Sequence, residues 1–164
     1  MACAACGGEG RIPAQETLDV ELPPGVGPGT RMRVEAKGNA GRLGGPAGDL
    51  YVIVNVTPHP MFTRAGDNIH CAIPITFWEA ALGAKITVPT VDGPTVIRVP
   101  PGTQSGQTLR MRGIGAPSLA RPGLRGDQLV TVRVVVPRVA DERSKAILKE
   151  LARLNPDDPR RELF

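Results

Sequence analysis

The strongest constraint on this chain is a sequence phrase that occurs twice. The first copy covers residues 22–34 and the second covers 99–111, at a constant offset of 77 residues. Each copy contains Pro-Pro-Gly and a second glycine four residues later. Each is followed by a glycine-rich loop and, after a one-residue slip in the offset, by a Gly-Asp pair that precedes a β-rich segment. A period of this length suits a small domain and is too long for a solenoid unit. The sequence therefore predicts two tandem copies of one β-rich domain.

Each copy predicts a strand, a turn and a returning strand. Residues 18–22 alternate apolar and acidic side chains, which is the period of a strand with one buried face. Pro-Pro-Gly then ends the strand, because proline lacks an N–H for the ladder and glycine accepts positive φ. Residues 31–34 alternate apolar and basic side chains on the returning strand, and residues 96–99 and 109–112 repeat the pattern.

Composition excludes several classes of function. Aromatic residues make up 3% of the chain and the net charge is +4 with mixed signs, so neither a base-stacking platform nor a phosphate-binding groove is expected. No apolar run reaches the length of a membrane span, and the N-terminus does not resemble a signal peptide. Three cysteines do not make a disulfide framework, which favours a reducing compartment. We therefore expect no nucleic acid partner, no membrane partner and a cytoplasmic location.

The cysteines predict half of a zinc site. Cys3 and Cys6 form Cys-x-x-Cys followed by x-Gly-x-Gly, and two such thiolates can bind one Zn²⁺. A structural zinc needs four ligands, so two more are required. Cys71 lies in an alternating apolar run and is expected to be a buried small hydrophobe. A redox role for Cys-x-x-Cys is the alternative, but the βαβ pattern that such a motif accompanies does not follow it.

The middle of the chain predicts further strands and one short helix. Residues 50–56 form a continuous β run that we expect to be covered on both faces. A strand is predicted over 69–75, ending at Pro74, and a helix over 76–83 with a capping box. Asp-Gly at 92–93 predicts a hairpin, and 129–136 a last strand. Phe62 has two open interpretations: an apolar plug at the end of a sheet, or the wall of an apolar groove.

The C-terminal part predicts an amphipathic helix over residues 141–154. Its apolar stripe consists of Ile147, Leu148, Leu151 and Leu154. Such a stripe packs either on its own domain or against another subunit, and both alternatives remain open. Residues 155–164 are polar, and we expect them to form a flexible tail.

Together these motifs resemble the C-terminal substrate-binding region of the DnaJ family of co-chaperones. The resemblance extends over nearly the whole chain, with the motifs in order. The matching motifs are Cys-x-x-Cys-x-Gly-x-Gly at 3–10, Pro-Gly-Val at 24–26, Gly-Thr-Arg at 29–31, Gly-Asp-Leu-Tyr at 48–51, His-Pro-Met-Phe-Thr-Arg-Ala-Gly-Asp at 59–67, Ala-Ala-Leu-Gly at 80–83, Val-Pro-Thr-Val-Asp-Gly at 88–93, Pro-Gly-Thr-Gln-Ser-Gly at 101–106, Arg-Gly-Ile-Gly-Ala-Pro at 112–117 and Arg-Gly-Asp at 125–127.

The resemblance implies an all-β fold of two tandem small β-sandwich or barrel domains, the first incomplete, followed by a C-terminal α-helix. It implies capture of exposed apolar segments of unfolded proteins for delivery to a DnaK-type ATPase, without enzymatic activity, and a homodimer held by Ile147, Leu148, Leu151 and Leu154. By position, Leu18 and Phe62 resemble residues that line the groove for the unfolded segment, and Val20 lies on the same strand face as Leu18. The expected domains are 1–11 (a remnant of the zinc region), 12–64 (first β domain), 65–138 (second β domain), 139–154 (dimerisation helix) and 155–164 (tail).

Three departures from the family pattern shape the remaining expectations. One of the family's four cysteine repeats is present, so zinc binding by Cys3 and Cys6 lacks its usual partner repeat. The His-Pro-Asp signature of the amino-terminal J domain, which stimulates the ATPase, does not occur in these residues, so we expect this chain not to stimulate the ATPase alone. The first copy lacks a counterpart of residues 67–98, so its domain is expected to miss strands and to be less ordered than 67–137. A small-ligand or carbohydrate-binding β-sandwich is the alternative function, and it predicts a pocket with convergent polar side chains.

Overall fold

The computed structural model describes Ile12 and residues 14–41 and 44–161, which form eight strands and two helices. The expected β-rich fold with a C-terminal helix is confirmed, and none of the sheets in this part of the chain closes into a barrel. The elements are β1 (Arg31–Val34), β2 (Leu50–Ile53), β3 (Thr63–Ala65), β4 (Asn68–Thr76), α1 (Phe77–Leu82), β5 (Ala84–Thr90), β6 (Gly93–Val99), β7 (Thr108–Met111), β8 (Gln128–Val135) and α2 (Glu142–Leu154).

The second half of the chain contains the main core. Its four-stranded sheet has the order β3-β4-β8-β7, with β4 and β8 parallel and the two outer pairs antiparallel. Side chains of this sheet pack against the β5–β6 hairpin and α1 in two clusters. The first cluster is built on Ile75, Ala80, Val99 and Val132, and the second on Cys71, Val88 and Val130. Each buried apolar residue of the described chain lies between 69 and 132.

The predicted duplication is visible in the backbone pairing. In β1–β2, Arg31 lies opposite Ile53, and in β7–β8, Thr108 lies opposite Thr131, so the two ladders have the same register. Hydrogen bonds outside the ladders repeat as well. The Gly29 N–H donates to Val54 O (2.8 Å), and the Gly106 N–H donates to Val132 O (2.7 Å). We call residues 14–58 the first repeat and residues 63–135 the second repeat.

An arginine–aspartate pair fixes the same corner in both repeats. Arg33 Nε lies 2.7 Å from Asp49 Oδ2 in the first repeat, and Arg110 Nε donates to Asp127 Oδ2 (2.6 Å) in the second. The other oxygen of each carboxylate accepts a backbone N–H, from Ala36 (3.0 Å) or Gly113 (2.8 Å). Both of these turn residues have positive φ, 55° and 68°. Each Gly-Asp pair therefore orients the strand that follows it by bonding back to the preceding turn.

The local signals in the middle of the chain are confirmed. Thr76 caps α1, and the capping box with Glu79 is complete, since each side chain accepts the other residue's N–H. The Thr76 N–H, and then the Thr76 hydroxyl, donate to the Glu79 carboxylate and hold the pKa of Glu79 below its ordinary value. β5 and β6 form the hairpin predicted from Asp-Gly, with Thr90 opposite Gly93 at its end.

The strand predicted over residues 18–22 is wrong as a paired strand. These residues are extended and keep the alternation of half-buried Leu18 and Val20 with exposed neighbours, but they belong to none of the sheets. Their counterpart at the repeat offset lies in β6, which is paired with β5. The described first repeat has no counterpart of β5, so residues 18–22 lack the neighbour that a strand needs for its backbone hydrogen bonds.

Two details of the other strand predictions also need correction. β2 is not covered on both faces, because Tyr51 and Ile53 remain 56% and 58% exposed. β4 does not end at Pro74 but continues to Thr76, with Pro74 opposite Arg133 of β8. Proline is tolerated there because β3 pairs only with residues 68–70, which leaves that side of β4 open and requires no N–H from residue 74.

The C-terminal helix α2 begins after Asp141, whose carboxylate accepts the N–H of Ser144 (2.7 Å). The predicted helix is confirmed, and none of its residues is buried. With 13 residues it is the longer of the two helices in the described ranges, neither of which has the length and apolarity to cross a bilayer.

We expect amide hydrogen exchange to be slower in the second repeat than in the first. The second repeat places its central strands, β4 and β8, between neighbours and over a buried core, whereas β1 and β2 form an isolated pair with half-buried side chains. Exchange measured by NMR on the full chain should show the strongest protection in β4 and β8. Equal protection in β1, β2 and residues 14–22 would contradict this prediction.

We also expect Asp127 to contribute to the loss of stability in acid. The Gly113 N–H, and then the Arg110 guanidinium, hold the pKa of Asp127 below its ordinary value. Its stabilising effect is therefore complete above the unfolded pKa of about 3.9 and is lost as the pH falls through the lower folded pKa. Urea midpoints at pH 7 and pH 3 should differ less in Asp127→Asn than in the wild type.

Asp157→Asn is a suitable control for this experiment, because it removes the same charge outside both repeats. It should keep the wild-type difference between the two pH values. If Asp127→Asn shows the same difference between the urea midpoints at pH 7 and pH 3 as the wild type, the Arg110–Asp127 pair does not contribute to the loss of stability in acid.

Candidate functional site

The first repeat has an apolar face that is only half covered. Met32 lies opposite Val52, and Val34 opposite Leu50, so these four side chains share one face of the β1–β2 sheet. All four are half-buried. In the second repeat the residue that corresponds to Val52 is Val130, which is completely buried beneath Val88 and its neighbours. The same sheet face is thus sealed in one repeat and accessible in the other.

The predicted binding residues Leu18 and Val20 lie on the first repeat. Both are half-buried, and they alternate with exposed acidic residues on the extended stretch that no strand pairs with. A stretch of this kind presents unpaired N–H and C=O groups next to apolar side chains. These are the two features that an extended peptide needs for strand addition.

Phe62 contacts the second repeat. It packs against the cluster of Cys71, Val88 and Val130, and its ring centroid lies 4.9 Å from that of His59. His59 Nδ1 accepts the N–H of Met61 (3.1 Å) and of Phe62 (3.3 Å), which fixes the local turn. These contacts correspond to the apolar plug that the sequence left open as one interpretation. A groove shared by Phe62 with Leu18 and Val20 stays a prediction.

The sequence interpretation missed the outer face of β2. Tyr51 and Ile53 are exposed there, and the Arg31 guanidinium lies 5.7 Å from the Tyr51 ring centroid, within cation–π range. The sequence signal is the apolar run over residues 50–54, for which the expectation of burial on both faces is wrong. Exposed apolar side chains in a small sheet mark a surface suited to binding other apolar groups.

A depression of about 520 Å³ lies between α1 and the second Pro-Pro-Gly turn. Phe77, Ala80 and Val134 contribute apolar walls, and Thr103, Gln104 and Ser105 contribute polar groups. Each of these three polar side chains already bonds to the protein backbone: Thr103 Oγ1 to Pro100 O, Gln104 Nε2 to Gly102 O, and Ser105 Oγ to the Val134 N–H. This depression therefore differs from the carbohydrate pocket that the alternative function predicts.

A second depression, of about 320 Å³, lies between α1 and α2. Phe77, Trp78, Ile147 and Leu148 are among the residues that line it. Of the predicted dimerisation residues, Leu148 is half-buried, whereas Ile147, Leu151 and Leu154 are 60%, 44% and 68% exposed. Three of the four residues of the predicted stripe thus remain exposed in this fold.

The predicted zinc ligands Cys3 and Cys6 lie outside the described residues. Within the described part, no group of three or more His, Cys, Asp or Glu side chains is arranged to hold a metal ion. Cys71 is buried, as expected, and accepts a hydrogen bond from Gln128 Nε2 (3.3 Å). Burial raises the pKa of the Cys71 thiol, so it is suited to packing and not to nucleophilic chemistry.

Comparison with known proteins agrees with the resemblance found in the sequence. Residues 10–137 match the family described as the DnaJ C terminal domain. The chain is 46% identical over 164 residues to chaperone protein DnaJ 1 of Streptomyces avermitilis, covering 99% of this chain and 41% of the relative. It is 43% identical over 157 residues to chaperone protein DnaJ of Halalkalibacterium halodurans, covering 96% of this chain and 42% of the relative.

A third relative, chaperone protein DnaJ of Bacillus cytotoxicus, is 47% identical over 150 residues, with coverage of 92% and 41%. The chain therefore spans about two fifths of the length of these curated relatives. The match includes both copies of the duplicated phrase and the strands that they join. The chain belongs to the DnaJ family and contains its C-terminal domain.

Proposed function

We propose that this chain is the substrate-binding portion of a DnaJ co-chaperone, which captures exposed apolar segments of unfolded proteins. Two observations support this most directly: the apolar face of the β1–β2 sheet is only half covered, and the extended residues 14–22 pair with no described strand. Leu18 and Val20 provide apolar contacts, and the free backbone groups provide hydrogen bonds to any extended peptide. Backbone bonding does not depend on the client's sequence, so this surface accepts many different unfolded chains.

A binding role fits the described side chains better than catalysis. The thiol of Cys71 is buried, and His59 Nδ1 is occupied by two backbone N–H groups. The polar side chains in the depression between α1 and the second turn are bonded to the backbone. The carbohydrate-binding alternative is therefore not favoured, either by this geometry or by the family.

The remaining partners follow from the family resemblance. We propose delivery of the captured segment to a DnaK-type ATPase, which requires a J domain for stimulation, and we place the protein in the cytoplasm. Cys3 and Cys6 would supply two zinc ligands, and two further ligands must come from outside this pair. The zinc content of the purified chain measures this directly.

Leu18→Ser combined with Val20→Ser should weaken capture of an unfolded client. Fully burying an apolar side chain contributes about 1.5 to 3 kcal/mol. Because Leu18 and Val20 are already half-buried, losing both should cost about 1.5 to 3 kcal/mol in total, which weakens binding at least about tenfold. Suppression of aggregation of a chemically unfolded model protein, titrated against chaperone concentration, measures the effect. The matched control is Leu124→Ser, which removes an exposed leucine from the second repeat.

Phe62→Ser removes a side chain that has two interpretations, an apolar plug and the wall of a groove. Because Phe62 packs on the second-repeat core, we expect this substitution to lower the urea midpoint of unfolding and also to weaken capture.

The proposed surface is contradicted if the variant that combines Leu18→Ser and Val20→Ser still folds and captures the unfolded client as well as the wild type does. Tight binding of a small sugar without suppression of aggregation would favour the alternative function.

We propose that α2 mediates homodimerisation through Ile147, Leu148, Leu151 and Leu154. Leu151→Glu and Leu154→Glu together should convert a dimer to a monomer, because two carboxylates would be buried unpaired in the contact. Sedimentation equilibrium of the full chain should give twice the monomer mass for the wild type. The control is Ala146→Glu, which adds a carboxylate on the opposite face of α2 and should leave the dimer intact. A wild-type chain that sediments as a monomer would contradict the proposal.

A further inference from the structure

We propose that the first Pro-Pro-Gly turn, residues 23–26, docks on the second repeat and that Arg64 locks it there, which fixes the two repeats in one relative position. The residues of this junction are separate from the proposed capture residues Leu18 and Val20. The two copies of the duplicated phrase then differ in role, because only the first copy also forms a contact between the repeats.

The space around Gly25 is the first observation. Gly25 has a φ of 92°, and a Cβ atom at this position would overlap the carbonyl oxygen of Pro117 and lie 3.2 Å from the amide nitrogen of Leu119. Pro117 and Leu119 belong to the loop between β7 and β8. The backbone of the first repeat's turn therefore lies directly against the backbone of the second repeat, at a distance that a side chain would prevent.

The duplicated phrase provides an internal comparison. Gly102, the counterpart of Gly25, also has a positive φ, 78°, yet a Cβ atom there would meet no other atom within 4 Å. Both turns thus require a residue that accepts positive φ, whereas only at Gly25 of these two is there also no room for a Cβ atom. The close approach is a property of the junction and not of the turn type.

Arg64 is the second observation. It lies on β3, which is part of the second repeat's sheet, and its side chain reaches the turn of the first repeat. Nη1 donates to Val26 O (2.8 Å) and Nη2 donates to Gly25 O (2.6 Å). Nε donates to Gly66 O (2.7 Å), which orients the guanidinium from its own hairpin. The planar fork of arginine suits two adjacent carbonyls in a way that a lysine ammonium does not.

The loop that receives the turn is itself held in place. The Ala116 N–H donates to Asp67 O (2.9 Å), and the Ser118 N–H donates to Leu124 O (2.9 Å). Asp67 follows Arg64 in the same β3–β4 hairpin, so one hairpin anchors both sides of the contact. In the described residues, no strand pair joins the first repeat to the second. The close approach at Gly25 and the two hydrogen bonds from Arg64 therefore join the repeats where the sheets do not.

Residual dipolar couplings of backbone amides in the full chain test the proposal. Amides of β1 and β2 report on the first repeat, and those of β4 and β8 report on the second. In the wild type, one alignment tensor should fit both sets. In Arg64→Lys, which keeps the charge and loses the fork, and in Gly25→Ala, the single-tensor fit should be lost while each repeat still fits its own tensor.

Gly102→Ala is the matched control, because it places the same methyl group at a positive φ without a neighbour. It should keep the common tensor. The proposal is overturned if the wild type already needs two tensors, or if Arg64→Lys and Gly25→Ala both keep one. It is also overturned if Gly102→Ala separates the repeats as much as Gly25→Ala, since strain in the turn would then explain the effect. If Gly25→Ala fails to fold, Arg64→Lys alone decides.

Discussion

A strand of a sheet needs a neighbour for its backbone N–H and C=O groups, and the organisation of this chain follows from where that need is met. In the second repeat, β6 pairs with β5, and β8 lies between β4 and β7. In the first repeat, β1 and β2 pair with each other, and the counterpart of β6 has no paired neighbour among the described residues. One sequence pattern thus produces a sealed core in one place and an accessible apolar face in the other.

The same constraint explains which parts of the fold were predictable. The capping box of α1, the Asp-Gly hairpin and α2 depend on residues close in sequence, and they appear where the pattern places them. The duplication was predictable because the Gly-Asp corner and the glycine spacing are repeated in the chain itself. Residues 18–22 were assigned to a strand because alternation shows which side chains face inward, but it does not show whether another strand lies alongside.

Burial was the least predictable property. The apolar run around Tyr51 and Ile53 predicts coverage on both faces, yet within the described ranges both side chains remain exposed. For the candidate site, alternation correctly indicated that Leu18 and Val20 share a face. The contact of Phe62 with Cys71, Val88 and Val130 joins residues up to 68 positions apart, and no local pattern contains that information.

The parallel pairing of β4 with β8 has a consequence for synthesis. Ile69 lies opposite Gln128, 59 residues later, whereas Val34 lies opposite Leu50, only 16 residues away. Contacts of low sequence separation form early, and those of high separation form late. As the polypeptide leaves the ribosome, β1–β2 can therefore pair long before the main core can close. Until β8 has been made, the nascent chain exposes apolar strands of the same kind as those we propose it binds, so we expect it to require shielding by chaperones itself.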